Sequence, residues 1–240
     1  MGRAFEVRKA SMAKTAAAKA KVYSRYGKEI YVAAKSGEPD PEMNTNLKKC
    51  IERAKANQVP ADVIKRAIEK AKGGSDENYT SATYEGFGQG GEATIIIECL
   101  SDNSNRTIAD LRGAFNKAHA KLASSGAVSF NYESVGQLVI AYSDEDTMLE
   151  TLLMADIDVK EIEVEDEHMS ITVAPQDLNN AKEEIEKLIE NVEFDVLELT
   201  MLANEHVHLD GDDKVAFERL LALLDDVEDM QNVYHNVEGL

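Results

Sequence analysis

Long apolar runs are missing from this 240-residue chain. No stretch approaches the roughly 20 apolar residues that a membrane-spanning helix needs. The N-terminus lacks the apolar core of a secretory signal. Met1-Gly2 opens like a myristoylation signal, but Glu6 stands where that signal needs Ser or Thr. Cysteine is scarce: Cys50 and Cys99 are the only two, far apart and in no C-x-x-C spacing. Each sits in an apolar pattern, so both read as reduced, buried thiols, which excludes a disulfide framework. Together these absences imply a cytoplasmic protein. No G-x-S-x-G elbow is present, and no Cys–His pairing suggests a nucleophile.

Some motifs begin and then fail. Gly86, Gly88 and Gly91 in YEGFGQGGEA fit G-x-G-x-x-G. A dinucleotide loop needs a helix after the glycines, so that the pyrophosphate meets unpaired N–H groups. Here a strand-like run, ATIIIECL, follows, and the glycines read as a hairpin turn with positive-φ positions. Ser11-x-x-Lys14 and Ser101-Asp102-Asn103 match two parts of a β-lactamase-like set, but Lys-Thr-Gly is absent. His206 and His208 share a strand face near Asp210, but a solvated edge strand explains them better than a metal does. No catalytic residue, metal site, cofactor or small-molecule substrate is implied.

What is present is charge, and it is segregated. The net charge is −19. Residues 1–74 hold 17 Lys+Arg against 8 Asp+Glu, a balance of +9, whereas residues 75–240 hold 9 against 37, a balance of −28. A phosphate backbone meets the local field, so the acidic whole does not exclude nucleic acid.

Periodicity places three helices in the basic part. The first has Val22, Tyr26, Ile30 and Ala33 inward and ends at Gly37; the second is capped by Asn44 or Asn46. The third follows Pro60 and closes at Gly73-Gly74. Beyond a linker at 75–78 come a strand at 93–100, a helix capped by Asn103 or Asn105, and a strand at 126–132. Then 137–199 runs β-α-β-β-α-β, the order of a ferredoxin-like sandwich. A strand at 201–209, a helix from Lys214 and a strand at 230–234 complete the interrupted first piece. The expected fold is α+β: an N-terminal helical domain followed by two ferredoxin-like α/β sandwiches, one inserted in the other. Expected boundaries are 1–78, then 79–133 with 201–240, and the insert 134–200. The insert carries 3 Lys+Arg against 19 Asp+Glu, or −16.

The basic arm and helices carry the strongest functional signal. Lysines and arginines interleave with Phe5, Tyr23, Tyr26 and Tyr31. Each cation that neutralises a phosphate releases counterions. A merely solvated Lys/Ala helix is the plain alternative. The candidate phosphate contacts are Arg3, Arg8, Lys9, Lys14, Lys19, Lys21, Arg25 and Lys28, with Arg106 and Arg112 as a second place. Arg106 stands in a first helical turn, where a cation opposes the macrodipole. It holds an anion with Arg112 and the backbone amides, or it pairs with Asp102 or Asp110.

The chain resembles the YebC/PmpR family, and more closely its shorter YeeN-like branch. The likeness is carried by Met1-Gly2-Arg3; Lys28-Glu29-Ile30 through Val32-Ala33-Ala34-Lys35; Gly37-Glu38-Pro39-Asp40-Pro41; and Ile51-Glu52-Arg53-Ala54-Lys55. It continues through 67–74 (AIEKAKGG), Tyr84-Glu85-Gly86-Phe87-Gly88, Asp102-Asn103 with Asn105-Arg106-Thr107, and Val233-Tyr234-His235-Asn236-Val237. The resemblance implies three domains and a non-enzymatic, cytoplasmic protein of gene expression. It implies a DNA-binding transcriptional regulator, or an RNA- or ribosome-associated translational activator. It supports Lys9, Lys19, Lys21, Arg25, Lys28 and Arg106 as contacts. Gly2-Arg3-Ala4-Phe5 departs from the longer branch, which has His-Ser-Lys-Trp there. A protein partner meeting the acidic insert is the further expectation.

Overall fold

The computed structural model describes residues 16–74 and 78–240. The chain divides into two compact units. Of the described residues, one gathers 16–50, 60–74, 78–133 and 203–240, and the other contains 51–59 and 134–202.

The first unit begins with α1 (Ala16–Lys35), whose alanine-rich sequence has high helix propensity. Its C-terminal half buries Ile30, Tyr31, Ala33 and Ala34, and it packs on α3 (Ala61–Lys72). Between them lies α2 (Thr45–Ala56), capped by Asn44, which accepts the Leu47 N–H at 3.0 Å. The Asn44 amide donates in turn to the carbonyls of Ala33 and Glu38, tying the turn after α1 to the start of α2.

The outer sheet follows. Strands β1 (Thr80–Phe87) and β2 (Thr94–Ser101) pair antiparallel in unbroken register from Thr80↔Ser101 to Phe87↔Thr94. Next come α4 (Ser104–Lys117) and the short β3 (Lys121–Leu122). Near the C-terminus lie β8 (Val207–His208), α7 (Gly211–Asp225), β9 (Met230–His235) and β10 (Val237–Glu238). The sheet order is β3-β1-β2-β9. Ile95 and Ile97 of β2 face Leu111 and Phe115 of α4 and Phe217, Leu220 and Leu224 of α7 in one core. Burying each such side chain is worth about 1.5–3 kcal/mol.

The second unit contains β4 (Tyr132–Ala141, from Ser134 on), α5 (Glu145–Met154), β5 (Val159–Glu165), β6 (His168–Val173), α6 (Leu178–Leu188) and β7 (Phe194–Ala203, to Leu202). Its sheet order, β5-β6-β4-β7, is that of a ferredoxin-like sandwich. Alternate residues Leu138 and Ile140, with Met169, Ile171 and Val173, meet Met148, Leu152, Ala181 and Ile185 beneath the helices. The α+β class and the helical region followed by two sandwiches are as expected.

The outer sandwich differs from its expected strands in three places. The segment 126–131 is no strand, and Tyr132 opens β4 instead. The Glu85 carboxylate accepts the N–H groups of Gly126, Val128 and Ser129 at 2.6, 2.6 and 3.1 Å, taking the donors a ladder would use. A 3-10 turn follows at Ser129–Asn131. The 201–209 segment is not one strand either. Strand β7 ends at Ala203, and the Asn131 side chain clamps Glu205 by accepting its N–H and donating to its carbonyl. The vacant place in the outer sheet, between β3 and β2, is filled by β1, which the sequence reading treated as a turn. Finally, Gly86 and Gly88 are not turn glycines. A Cβ on Gly86 would lie 2.4 Å from the Phe115 ring, and one on Gly88 2.6 Å from the Phe217 ring. Only Gly90 and Gly91, with φ of 73° and 78°, serve the hairpin turn.

Candidate nucleic-acid interface

On α1, Lys21, Arg25 and Lys28 stand at i, i+4 and i+7 and share one face. That face meets the end of α7 and the turn into β9, some 200 residues on. Lys21 Nζ donates to Asp225 at 2.7 Å and to Asp226 at 3.0 Å. Arg25 Nη2 donates to Asp225 at 2.8 Å. Lys28 Nζ donates to the Glu228 carbonyl at 2.9 Å and lies 3.6 Å from Asp229. The last turn of α7 holds no basic residue of its own. Its carbonyl end and its carboxylates add negative charge to negative charge, and α1 supplies the missing cations.

Asp229 is the centre of this corner, its side chain 2% exposed. It accepts Ser101 Oγ and Thr107 Oγ1, each at 2.8 Å, and Arg106 Nη2 at 2.9 Å to both oxygens. Its own carbonyl accepts the Leu100 N–H. Burial pushes the Asp229 carboxyl up, but the hydrogen bonds from Ser101, Thr107 and Arg106 outweigh it and hold the group below its ordinary range. Asp225 behaves alike: burial raises it, and Lys21 and Arg25 bring it below. Hydrogen bonds to Asp225 and Asp226 raise the Lys21 ammonium.

Arg106 occupies the first turn of α4, where Asn103 caps the helix by accepting the Arg106 N–H. Its guanidinium turns back to Asp102 at 2.8 Å and to Asp229. These two carboxylates offset the macrodipole cost that the sequence reading noted. The expected shared anion site with Arg112 does not form. Arg106 is committed to acids, and Arg112, six residues on and exposed, stands roughly 120° around the helix from it. Of its two expected partners Arg106 takes Asp102, and it adds Asp229 from across the sheet.

Lys19 is exposed. Arg3, Arg8, Lys9 and Lys14 lie outside the described residues, as does Phe5. Tyr31 offers no face for a base: it is 3% exposed, edge-on to Tyr79, with Lys35 and Lys70 ammoniums 5.6 and 5.4 Å from its ring centre. His206 and His208 approach Glu238 at 4.0 Å and Asp210 at 3.2 Å respectively. Among the described residues no cluster of His, Cys, Asp and Glu could hold a metal ion, and no helix is long and apolar enough to cross a membrane. Both cysteines are buried thiols, Cys50 donating to Glu29 at 3.4 Å, and burial pushes the Cys99 thiol up to about 12. Sequence reasoning missed Asp225, Asp226, Asp229, Ser101 and Thr107. Nothing local in the run LLDDVEDM, 223–230, marks it as a partner of α1, and only the fold brings the two together.

A basic helical head, carried on a ferredoxin-like sheet and locked to its acidic corner, defines an α+β protein. A family model described as the TACO1/YebC N-terminal domain matches residues 3–74, and one for the TACO1/YebC second and third domain matches 79–237. The chain belongs to the TACO1/YebC family. It is 47% identical to a probable transcriptional regulatory protein of Pseudoalteromonas translucida, over 98% of both chains. It is 48% identical to one of Marinobacter nauticus, over 99% of this chain and 98% of that one. Among solved structures it is similar to a conserved hypothetical protein from Aquifex aeolicus, with a TM-score of 0.78 and 31% identity, covering 94% of this chain and 93% of that one. The names of the curated relatives support a regulatory role in transcription.

Proposed function

We propose that this chain is a non-enzymatic, cytoplasmic, nucleic-acid-binding regulator of gene expression that acts on DNA. The observation that carries the reading is the segregation of charge: +9 on residues 1–74 against −28 on the rest. The relatives named as transcriptional regulators favour DNA over RNA as the target. The basic arm and α1 take the phosphates, with Arg3, Arg8, Lys9, Lys14, Lys19, Lys21, Arg25 and Lys28 as contacts. Arg106 and Arg112 lie apart from each other and contribute separately. Contacts of this kind position a protein on a duplex and read no bases. The acidic second sandwich repels the backbone and so orients the bound complex.

Crosslinking in cells, followed by sequencing of the captured nucleic acid, tests the proposal. Promoter-proximal DNA is the expected recovery. Ribosomal RNA in its place overturns the transcriptional reading and makes the chain a translation factor. Affinity that ignores salt overturns nucleic-acid binding altogether, because phosphate contacts carry a steep salt slope.

A further inference from the structure

We infer that the acidic corner at Asp225, Asp226 and Asp229 is an intramolecular competitor for nucleic acid, closing the basic face of α1 until phosphates displace it. The inference rests on the reading of α1 as a phosphate-binding face. Three of the candidate contacts on α1, Lys21, Arg25 and Lys28, already face this corner, at 2.7, 2.8 and 3.6 Å from its carboxylates. Carboxylate and phosphate oxygens compete for the same N–H donors. A backbone phosphate approaching Lys21 or Arg25 therefore has to take the place of Asp225 or Asp226.

Exposure grades the contact along the helix. At Lys21 the side chains are 39% exposed, against 46% for Asp225 and 76% for Asp226. Exposed pairs of this kind are weak, each worth up to about fivefold in an equilibrium constant. At the other end Asp229 is buried and held by Ser101, Thr107 and Arg106 as well as facing Lys28. The N-terminal half of the face opens easily, and the Asp229 end stays shut and acts as the pivot. Apparent affinity is then the intrinsic affinity scaled by the open fraction.

The test uses the full chain, a short fluorescently labelled DNA duplex and anisotropy titrations at several salt concentrations. Asp225→Asn with Asp226→Asn removes the competitor. Asp212→Asn with Asp213→Asn, at the far end of α7, makes the same change in net charge without touching α1. We expect the first variant to bind about tenfold tighter than wild type, the three weak pairs it removes combined. The control changes affinity by less than about twofold, since screened charges beyond a Debye length matter little. The wild type also shows the shallower salt slope, because salt opens the corner while it weakens the duplex contacts. If wild type binds DNA and the corner variant binds no tighter than the control, the competitor is refuted and DNA binding stands. If no protein binds at any salt, the phosphate-binding face is refuted and the competitor with it. Thermal melting checks that each variant folds. Should the double variant not fold, Asp226→Asn alone leaves the Lys21–Asp225 and Arg25–Asp225 pairs and still tightens binding two- to threefold by the same estimate. An unchanged affinity in that single variant refutes the competitor.

Discussion

Replacing Glu85 with alanine should loosen the 123–131 loop and cost the fold about 3 kcal/mol. The carboxylate is 4% exposed and receives three backbone N–H groups, from Gly126, Val128 and Ser129. Gly126 and Ser129 are exposed, so water recovers part of their loss. Val128 is wholly buried, and its N–H is left without an acceptor. An orphaned buried donor costs about 1–3 kcal/mol, and each re-solvated bond about 0.5–1.5 kcal/mol. The sum, near 3 kcal/mol, corresponds to a melting temperature lower by roughly 6–12 °C in a chain of this size. Burial raises the Glu85 carboxyl, but the bonds from Val128, Gly126 and Ser129 prevail and leave it below its ordinary value of 4.5. A group depressed on folding stabilises above its unfolded value, and that stability is lost as pH falls through the folded one. The gap between wild type and Glu85→Ala should therefore narrow as pH drops below 4.5. Melting curves across pH measure the gap, and hydrogen exchange at the Val128 amide reports the loop directly. A gap under about 0.5 kcal/mol, within the range of an ordinary surface substitution, would refute the reasoning. So would a gap that does not change with pH.

Gly86→Ala should destabilise by at least about 2 kcal/mol, because its Cβ meets the buried Phe115 ring and the Lys121 carbonyl. A melting temperature like that of wild type would show that the β1–α4 spacing is looser than described. Gly113→Ala, in the interior of α4 with open space around its Cβ, should instead stabilise by about 0.5–1 kcal/mol, as urea unfolding would detect. Asp229→Asn should cost about 3 kcal/mol at neutral pH by uncoupling Arg106 and Lys28 from a buried charge. That cost should begin to fade as pH falls below 3.8, where the unfolded carboxyl takes up its proton, and vanish once pH has fallen through the lower folded value; a cost that persists there would argue for packing and against charge.

The second sandwich was legible because its strands alternate and its helices keep a 3.6-residue period, as Leu138 and Ile140 or Met148 and Leu152 illustrate. The Asn103 cap and the Asn44 cap were legible for the same local reason. The outer sandwich was harder, since β1 buries Glu85 and Gly86 where an inner strand usually buries apolar side chains. Its glycines looked like turn residues, although two of them are there to let aromatic rings approach. The segment 126–132 looked like a strand because Val128 and Phe130 alternate, but a carboxylate more than 40 positions away holds its amides. The basic face of α1 was visible in the spacing of Lys21, Arg25 and Lys28. Its partner was not, because pairing across 200 residues leaves no local pattern.

The order of strands in the outer sheet sets a timetable. Strand β2 is an inner strand, bonded to β1 on one side and to β9 on the other. During synthesis β1 emerges first and β9 more than a hundred residues after β2, with the whole second sandwich made in between. At 5–20 residues per second, the side of β2 that awaits β9 stays bare for roughly 7–25 seconds. Its run of isoleucines, Ile95, Ile96 and Ile97, is the kind of strand that recruits stray partners while unpaired. Asn236, just past β9, then closes the hairpin end by accepting the Thr94 N–H and donating to the Glu92 carbonyl. That edge of β2 is thus open to aggregation throughout the synthesis of the second sandwich, and the arrival of β9 ends the interval.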